Sequence, residues 1–163
     1  MKKKTSWQEK LADSKDLPRV EKIDEKKSKR WGKGTFVIPA PIEVDAIMRK
    51  VSKGKLITIN EIRQILAKKH KATIGCPITT GIFSWIAANA ADEMEKQGKK
   101  RIMPYWRTLK TGGIINEKYP GGLTNLKKRL EAEGHIVIRK GRSKYFMVEN
   151  FEKSLVDITK IGI

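Results

Sequence analysis

The fold is decided by residues 58–89, which read TINEIRQILAKKHKATIGCPITTGIFSWIAAN. Thr58 followed three positions later by Glu61 is a capping box, so a helix is predicted to begin at Thr58. Pro77 suits the first turn of a second helix, because the backbone N–H it lacks is not needed there. Two helices joined by a short connector, residues 72–76, indicate a helix-turn-helix whose second helix is the recognition helix.

Apolar side chains recur along this second helix at Ile78, Ile82, Trp85 and Ile86. Their spacing predicts that they form the buried face. Ile78 is therefore expected in the core, and the alternative is an apolar wedge that enters a base step of DNA. The hydroxyl groups of Thr79, Thr80 and Ser84 are expected to bond phosphates.

Helical patterns also precede and follow the helix-turn-helix. A helix is predicted from Pro41 to about Val51, and another carries the stripe Leu123, Leu126 and Leu130 and ends near Gly134. Residues 136–138 and 145–148 are strand-like and flank a basic tip, as in the wing of a winged helix. The predicted fold class is mainly α with a small β-hairpin, a winged helix-turn-helix.

Composition divides the chain into three parts. Residues 1–34 hold twelve basic and six acidic residues and few apolar ones, which predicts a basic, flexible tail. The alternative is a short helix near Trp7, with Trp7 or Trp31 docked on the core. Residues 35–150 form the predicted DNA-binding domain, with 22 basic and 10 acidic residues. Residues 151–163 are predicted to be a C-terminal extension.

The charge of the chain favours a polyanionic partner. A net charge of +18 arises from 36 Lys and Arg against 18 Asp and Glu, and neutralising phosphates releases condensed counterions. We therefore expect double-stranded DNA as the partner. Without a long apolar run, no membrane span or secretory signal is expected, so the predicted compartment is the cytoplasm, with association with the nucleoid as one form of it. One Cys and two His exclude a disulfide framework and a Cys/His zinc cluster, and no cofactor is expected.

Several short motifs occur in a fixed order between residues 42 and 135. Together they resemble the DNA-binding domain of the alkylguanine-DNA alkyltransferases, the methylated-DNA–protein-cysteine methyltransferases. The motifs are Lys53-Gly54-Lys55-Leu56-Ile57-Thr58-Ile59-Asn60-Glu61-Ile62, then Gly81, Pro104-Tyr105-Trp106-Arg107, Tyr119-Pro120-Gly121-Gly122-Leu123, and Glu131-Ala132-Glu133-Gly134-His135.

The resemblance implies a lost activity. The family has Pro-Cys-His-Arg where this chain has Pro104-Tyr105-Trp106-Arg107, and its Cys accepts the alkyl group from guanine. A phenol with a pKa of about 10 and an indole without a basic nitrogen cannot perform thiolate chemistry, so no enzymatic activity is expected. Glu133 falls where the family's Glu orients the His. A sister group, the alkyltransferase-like proteins, also lacks the Cys and binds alkylated guanine without transferring the alkyl group.

Other family positions are changed as well. Ile78 stands near the intercalating Arg, Ile59 replaces a Tyr, and Pro120 replaces the Ser of the lesion pocket. Tyr105, Trp106 and Tyr119 are candidates for the walls of a base pocket, or Tyr105 and Trp106 fill the old cavity. Arg107 either approaches a phosphate or pairs with Glu133.

The other side chains that are expected to contact DNA, one hydroxyl group and several cations, lie in four parts of the chain. They are Thr58, the end of the first helix (Lys68, Lys69 and Lys71), a basic loop (Lys99, Lys100 and Arg101), and the tip of the hairpin (Arg139, Lys140, Arg142 and Lys144).

The leading hypothesis is a non-enzymatic, alkyltransferase-like DNA-binding protein that recognises alkylated guanine for DNA repair, with a repair protein as a further partner. One alternative is a general nucleic-acid-binding or regulatory winged-helix protein with a filled pocket. A second is an interaction protein for an acidic partner. A remote third is alkyl transfer by Cys76, which precedes a helix, although a packed Cys is the simpler interpretation.

Overall fold

The structure, a computed structural model, describes residues 4–161. Within that range the chain forms a mixed α/β arrangement of six α-helices and three small sheets. The helices that the sequence predicts near Pro41, Thr58, Pro77 and Leu123 are present. The helices are α1 (Trp7–Ala12), α2 (Glu25–Trp31), α3 (Pro41–Arg49), α4 (Ile59–Lys69), α5 (Pro77–Lys96) and α6 (Gly122–Ala132).

The strands are short, and most of them were not predicted. β2 pairs with β1 in antiparallel fashion and with β4 in parallel, β3 is parallel to β5, and β6 and β7 form the predicted antiparallel hairpin. The prediction of a mainly α fold with one hairpin was therefore incomplete, because strands of two to four residues carry no readable period. Their bounds are β1 (Arg19–Lys22), β2 (Thr35–Ile38), β3 (Ile57–Thr58), β4 (Ile74–Gly75), β5 (Thr108–Leu109), β6 (Val137–Arg139) and β7 (Phe146–Val148).

The helix-turn-helix consists of α4, a connector that contains β4, and α5. The carboxylate of Glu61 accepts hydrogen bonds at 2.8 Å from both the backbone N–H and the hydroxyl of Thr58, as the capping box predicts. In the connector, Gly75 packs so closely on α4 that a Cβ there would lie 2.8 Å from the carbonyl oxygen of Arg63. The side chain of Arg63 also donates to the Gly75 carbonyl. The turn is thus fixed to the first helix of the motif.

The N-terminal segment is docked on the rest of the protein. The backbone N–H groups of Trp7 and Gln8 donate to the carboxylate of Glu93 on α5 at 3.1 and 3.2 Å. The Trp7 ring meets Trp85 edge-on, with 4.8 Å between centroids, and Leu11 is buried. The prediction of a flexible tail is therefore wrong for residues 4–34, and the alternative of a docked helix near Trp7 is confirmed.

A second anchor holds α2 and β1. Ile23, Phe36 and Cys76 form a small buried cluster, and the Trp31 ring packs edge-on against Phe36. Composition underestimated this segment because Trp7 and Ile23 pack against residues far along the chain, Trp85 and Cys76. The segment is therefore held on the fold by distant partners.

The main core lies between α3, α4, α5 and the segment 103–119. Small side chains, Ala87, Ala88, Ala90 and Ala91, bury the inner face of α5 and allow α1 and α3 to approach it closely. The C-terminal extension is also attached, because Leu56 exchanges backbone hydrogen bonds with Ser154 and Val156. In the described part of the chain, no helix combines the length and apolar character needed to cross a membrane.

Candidate nucleic-acid interface

The aromatic side chains of Tyr105, Trp106 and Tyr119 fill the space between α5 and α6. The side chain of Tyr105 has no exposed surface, and Tyr119 is 3% exposed. The Tyr105 ring meets the rings of Trp106 and Tyr119 edge-on, with centroid distances of 5.4 and 6.4 Å. Of the two interpretations of these residues, the structure supports cavity filling, because a base cannot stack on Tyr105 or Tyr119 without displacing them.

Both phenols are held in neutral hydrogen bonds. Asn125 Nδ2 donates to the Tyr105 oxygen, and the Tyr119 hydroxyl donates to Ser84 Oγ, each at 2.9 Å. Burial raises the pKa of Tyr105 and raises that of Tyr119 to about 12. Neither oxygen is therefore available as a nucleophile near neutral pH.

Glu133 gathers the polar groups of the altered motif. Its carboxylate accepts the indole N–H of Trp106 at 2.8 Å, the guanidinium of Arg107 at 2.8 Å and the backbone N–H of Gly54 at 3.2 Å. Burial alone would raise the pKa of Glu133, but the hydrogen bonds from Arg107, Trp106 and Gly54 lower it overall. Arg107 also donates to the carbonyl of Val51, so it anchors this segment to the residue after α3. Of the two roles expected for Arg107, the structure has the pairing with Glu133 and not a phosphate contact.

The Cys and His side chains of the described chain are packed or paired within the fold. Cys76 is buried in the cluster with Ile23 and Phe36. His70 contacts the Glu43 carboxylate at 2.7 Å, and burial lowers the pKa of His135. Within residues 4–161, no three His, Cys, Asp or Glu side chains are grouped closely enough to hold a metal ion.

The exposed face of α5 is the opposite of the one predicted. Ile78 is 59% exposed, Ile82 47% and Trp85 37%, whereas Thr80 and Ser84 are fully buried. The predictions that Ile78 lies in the core and that Thr80 and Ser84 bond phosphates are therefore wrong. The reason is that α5 packs mainly through small side chains, which leaves Ile78, Ile82 and Trp85 on the outside, while Phe83 and Ile86 are partly buried against the core.

A cleft of about 740 Å³ runs along this exposed stripe. It separates the first turns of α4 and α5 from the loop 110–118, and we call it the recognition cleft. The residues that line it in the described chain include three cations and no acid. Among them are Ile59, Asn60, Arg63, Ile78, Ile82, Trp85, Lys110, Thr111, Ile114, Asn116 and Lys118.

Lys110 and Lys118 were missed in the sequence, although a signal for them was present. Both lie between two of the motifs that resemble the alkyltransferase family, the one that ends at Arg107 and the one that begins at Tyr119. Both side chains are exposed, and the indole N–H of Trp85 donates to the carbonyl of Lys118 at 3.2 Å. The loop is therefore tied to α5 at the mouth of the cleft.

The other predicted DNA contacts are dispersed. Thr58 is buried and donates to Glu61, so its predicted phosphate contact is wrong. Lys69 pairs with Glu43 at 2.8 Å, while Lys68 and Lys71 are exposed and Thr79 is half-buried. The loop with Lys99, Lys100 and Arg101 is exposed at the far end of α5, about 30 Å from Ile78 for a helix of 20 residues.

The hairpin is joined to the loop that lines the cleft. Ile114 forms a bridge with Met147 on β7, and the N–H of Ile115 donates to the carbonyl of Phe146. Its tip carries Arg139, Lys140, Arg142 and Lys144, all of which are exposed. The structure therefore confirms the hairpin and its basic tip.

Comparison with known proteins finds a distant structural similarity. No protein-family model matches this chain, and no curated protein sequence does. A solved structure that is similar to this chain is that of a protein bound to DNA. It is the crystal structure of S. pombe Atl1 in complex with damaged DNA containing O6-carboxymethylguanine, with 19% identity and a TM-score of 0.48. The match covers 72% of this chain and 94% of that chain.

At 19% identity, the binding properties of this chain depend on its own residues.

Proposed function

We propose that this chain is a non-enzymatic, alkyltransferase-like DNA-binding protein that docks double-stranded DNA on the recognition cleft. The observation that carries the proposal is the stripe of Ile78, Ile82 and Trp85, exposed at helical spacing and flanked by Lys110 and Lys118. A contiguous apolar patch with a polar rim marks an interaction surface. The net charge of +18 selects a polyanion as the partner.

The apolar stripe is consistent with a mode of DNA binding in which apolar side chains, and not a cationic one, are inserted between the bases. Apolar side chains can be inserted between base steps as wedges, which unstack the bases and bend the duplex. Ile78 is the most exposed member of the stripe and stands in the first turn of α5. In this proposal Ile78 is the wedge, while Lys110 and Lys118 contact the phosphates on either side of it.

Alkyl transfer has no suitable group in this site. Tyr105 is buried and its phenol pKa is raised, and Trp106 has no basic nitrogen with which to activate a nucleophile. Cys76 is buried in a separate apolar cluster. The protein is therefore proposed to read DNA without modifying it.

Recognition of alkylated guanine is the finer part of the proposal. Since Tyr105 and Tyr119 occupy the space behind Ser84, an altered base would have to lie in the recognition cleft itself. There Asn60, Thr111 and Asn116 offer polar groups to the edges of a base. Such a reader would mark the lesion for another repair protein in the cytoplasm.

The buried phenols equally support a second function. A protein with a filled pocket would bind duplex DNA generally, as a nucleic-acid-binding or regulatory winged-helix protein. It would show the same salt dependence but no preference for damage.

Binding to matched duplexes tests both functions. Fluorescence anisotropy would compare an unmodified duplex with one that carries a single O6-alkylguanine. Tighter binding to the modified duplex supports lesion recognition, and equal binding supports the general binder. If the protein binds neither duplex at low salt, the DNA-binding proposal is wrong and an acidic protein becomes the expected partner.

A matched pair of variants tests the surface. Ile78→Asp should weaken binding by about tenfold or more, or about 1.4 kcal/mol, because it replaces the wedge with a charge that repels phosphate. Ile42→Asp is the control, since Ile42 on α3 is 48% exposed. It lines neither the recognition cleft nor a second cleft that lies between α2 and Ile78. Equal losses in the two variants would contradict the proposed surface.

A further inference from the structure

The N-terminal helix α2 lies beside the recognition helix. A second cleft of about 640 Å³ is lined on one side by residues of α2 and on the other by Ile78. The proposed wedge therefore belongs to both clefts. The lining of the second cleft is Asp24, Lys26, Lys27, Lys29, Arg30, Trp31 and Ile78.

The cations of α2 share one helix face. Lys26, Lys29 and Arg30 are spaced at i, i+3 and i+4, and side chains with that spacing are neighbours on a helix surface. All three are exposed, and none of them forms a salt bridge within residues 4–161. Lys27 differs, because its Nζ lies 4.8 Å from the Phe36 ring centroid and 4.0 Å from Asp24. Three of these four cations are thus free to meet a polyanion.

The segment around α2 is anchored at the base of the recognition helix. β1 pairs with β2, and β2 pairs with β4 in the helix-turn-helix connector. Beneath them, Ile23 and Phe36 pack against Cys76, which is the residue that precedes α5. Because both attachments meet the N-terminal end of α5, the position of α2 relative to Ile78 is set by packing.

We propose that α2 is a second DNA-contacting element, which places Lys26, Lys29 and Arg30 on backbone phosphates to one side of the wedge. This inference rests on the proposed function, since α5 must already hold the duplex. It extends the contact beyond residues 42–135, the part of the chain that carries the alkyltransferase motifs. The site recognises phosphate groups and not base edges, because the three side chains are donors on a surface element.

The dimensions of α2 suit this role. A helix of seven residues is roughly 10 Å long, and phosphates follow each other at about 3.4 Å along one strand in projection on the duplex axis. The face of α2 that carries its three free cations is therefore long enough to meet consecutive phosphates of one strand.

Salt dependence measures the phosphate contacts directly. Each neutralised phosphate contributes about 0.9 to the slope of log K against log salt concentration. The variant K26Q/K29Q/R30Q should therefore lower the slope by about 2 to 3 relative to the unchanged protein. A 20-base-pair unmodified duplex is the probe, so the result does not depend on lesion recognition.

The control removes the same charge elsewhere. The variant K50Q/K55Q/K160Q alters three lysines around a cleft near the C-terminal segment that shares no residue with the two clefts at Ile78. Its slope should change by less than about 0.5 if those lysines do not touch DNA. Circular dichroism of both variants checks that the fold is retained.

The outcomes separate this inference from the proposed function. A lower slope in the α2 variant alone supports the inference, as does loss of hydroxyl-radical protection at one end of the footprint. Equal slope changes in the two variants would show a general charge effect and overturn it. Unchanged binding by the α2 variant with weakened binding by Ile78→Asp would also overturn it, while the proposed function stands. If the unchanged protein binds no duplex, both fail.

Discussion

The indole N–H of Trp106 donates a hydrogen bond to the carboxylate of Glu133 across 2.8 Å. By the sequence resemblance, Glu133 falls where the alkyltransferase family has the Glu that orients its His, and this chain has no imidazole there. In this structure a tryptophan supplies the ring N–H. This ring can donate a proton to the hydrogen bond, but it has no nitrogen that accepts one.

Trp106→Phe should reveal the value of this bond. The variant leaves Glu133 with one donor fewer and should lower the free energy of unfolding by about 1.5–3 kcal/mol, the range for hydrogen bonds to charged groups. Urea unfolding at pH 7 measures the change. Trp31→Phe, in which a half-buried ring packs on Phe36, is the control and should cost less. A cost for Trp106→Phe no larger than that of the control would contradict the prediction.

The stability contributed by Glu133 should depend on pH with a defined sign. Hydrogen bonds from Arg107, Trp106 and Gly54 outweigh burial and lower its pKa in the folded protein. A lowered folded-state pKa contributes stability above the ordinary value of about 4.3, and that stability is lost as pH falls through the folded-state pKa.

Glu133→Gln should therefore cost about 3 kcal/mol or more at pH 7, because Arg107 is left buried without its partner. The deficit should shrink as the pH decreases below about 4. Urea unfolding between pH 3 and 7 checks this. Glu117→Gln, on the exposed loop, should stay within about 0.5 kcal/mol throughout. A deficit that is constant over the whole range would disprove the assignment.

Tyr105→Cys should not restore alkyl transfer. The new thiol would have Trp106 as its neighbour, which cannot accept a proton, and the buried ring of Tyr105 leaves a cavity when it is removed. We expect destabilisation of about 3–5 kcal/mol and no gain in protein mass after incubation with O6-alkylguanine DNA. Intact-mass spectrometry is the measurement. A covalent alkyl adduct on this variant would show that the remaining site is competent for the chemistry.

Trp7→Ala should release the N-terminal helix. The change removes the edge contact of the Trp7 ring with Trp85, so the amides of α1 should exchange with deuterium at least about tenfold faster, which corresponds to about 1.4 kcal/mol. Glu9→Gln on the exposed side of α1 should leave exchange unchanged. Equal exchange in the Trp7 variant and the unchanged protein would mean that α1 is held by other contacts.

Local signals in the sequence predicted the element starts well. The Thr58 and Glu61 pair and Pro77 each specify a helix start through neighbouring residues alone, and the structure has helices at both places. The hairpin β6–β7 was likewise visible, because its strands are close in sequence. Features that depend on a few adjacent residues can be predicted in this way.

The face of α5 could not be predicted from the same kind of signal. Ile78 and Ile82 are larger and more apolar than Thr80, Ser84 and Ala87, so periodicity selects the isoleucine face as buried. Close helix packing selects the small side chains instead, and this choice depends on α1 and α3, which lie elsewhere in the sequence. The recognition cleft was therefore not predicted, although the sequence pattern had singled out Ile78, Ile82 and Trp85.

The contact of Trp7 with Glu93 joins residues 86 positions apart. Since a chain emerges from the ribosome N-terminus first, α1 has no docking surface until the whole of α5 has been synthesised. Loop closure over such a distance is slow compared with local helix formation. The basic N-terminal segment would thus stay exposed during synthesis, and α1 would dock only after α5 is complete.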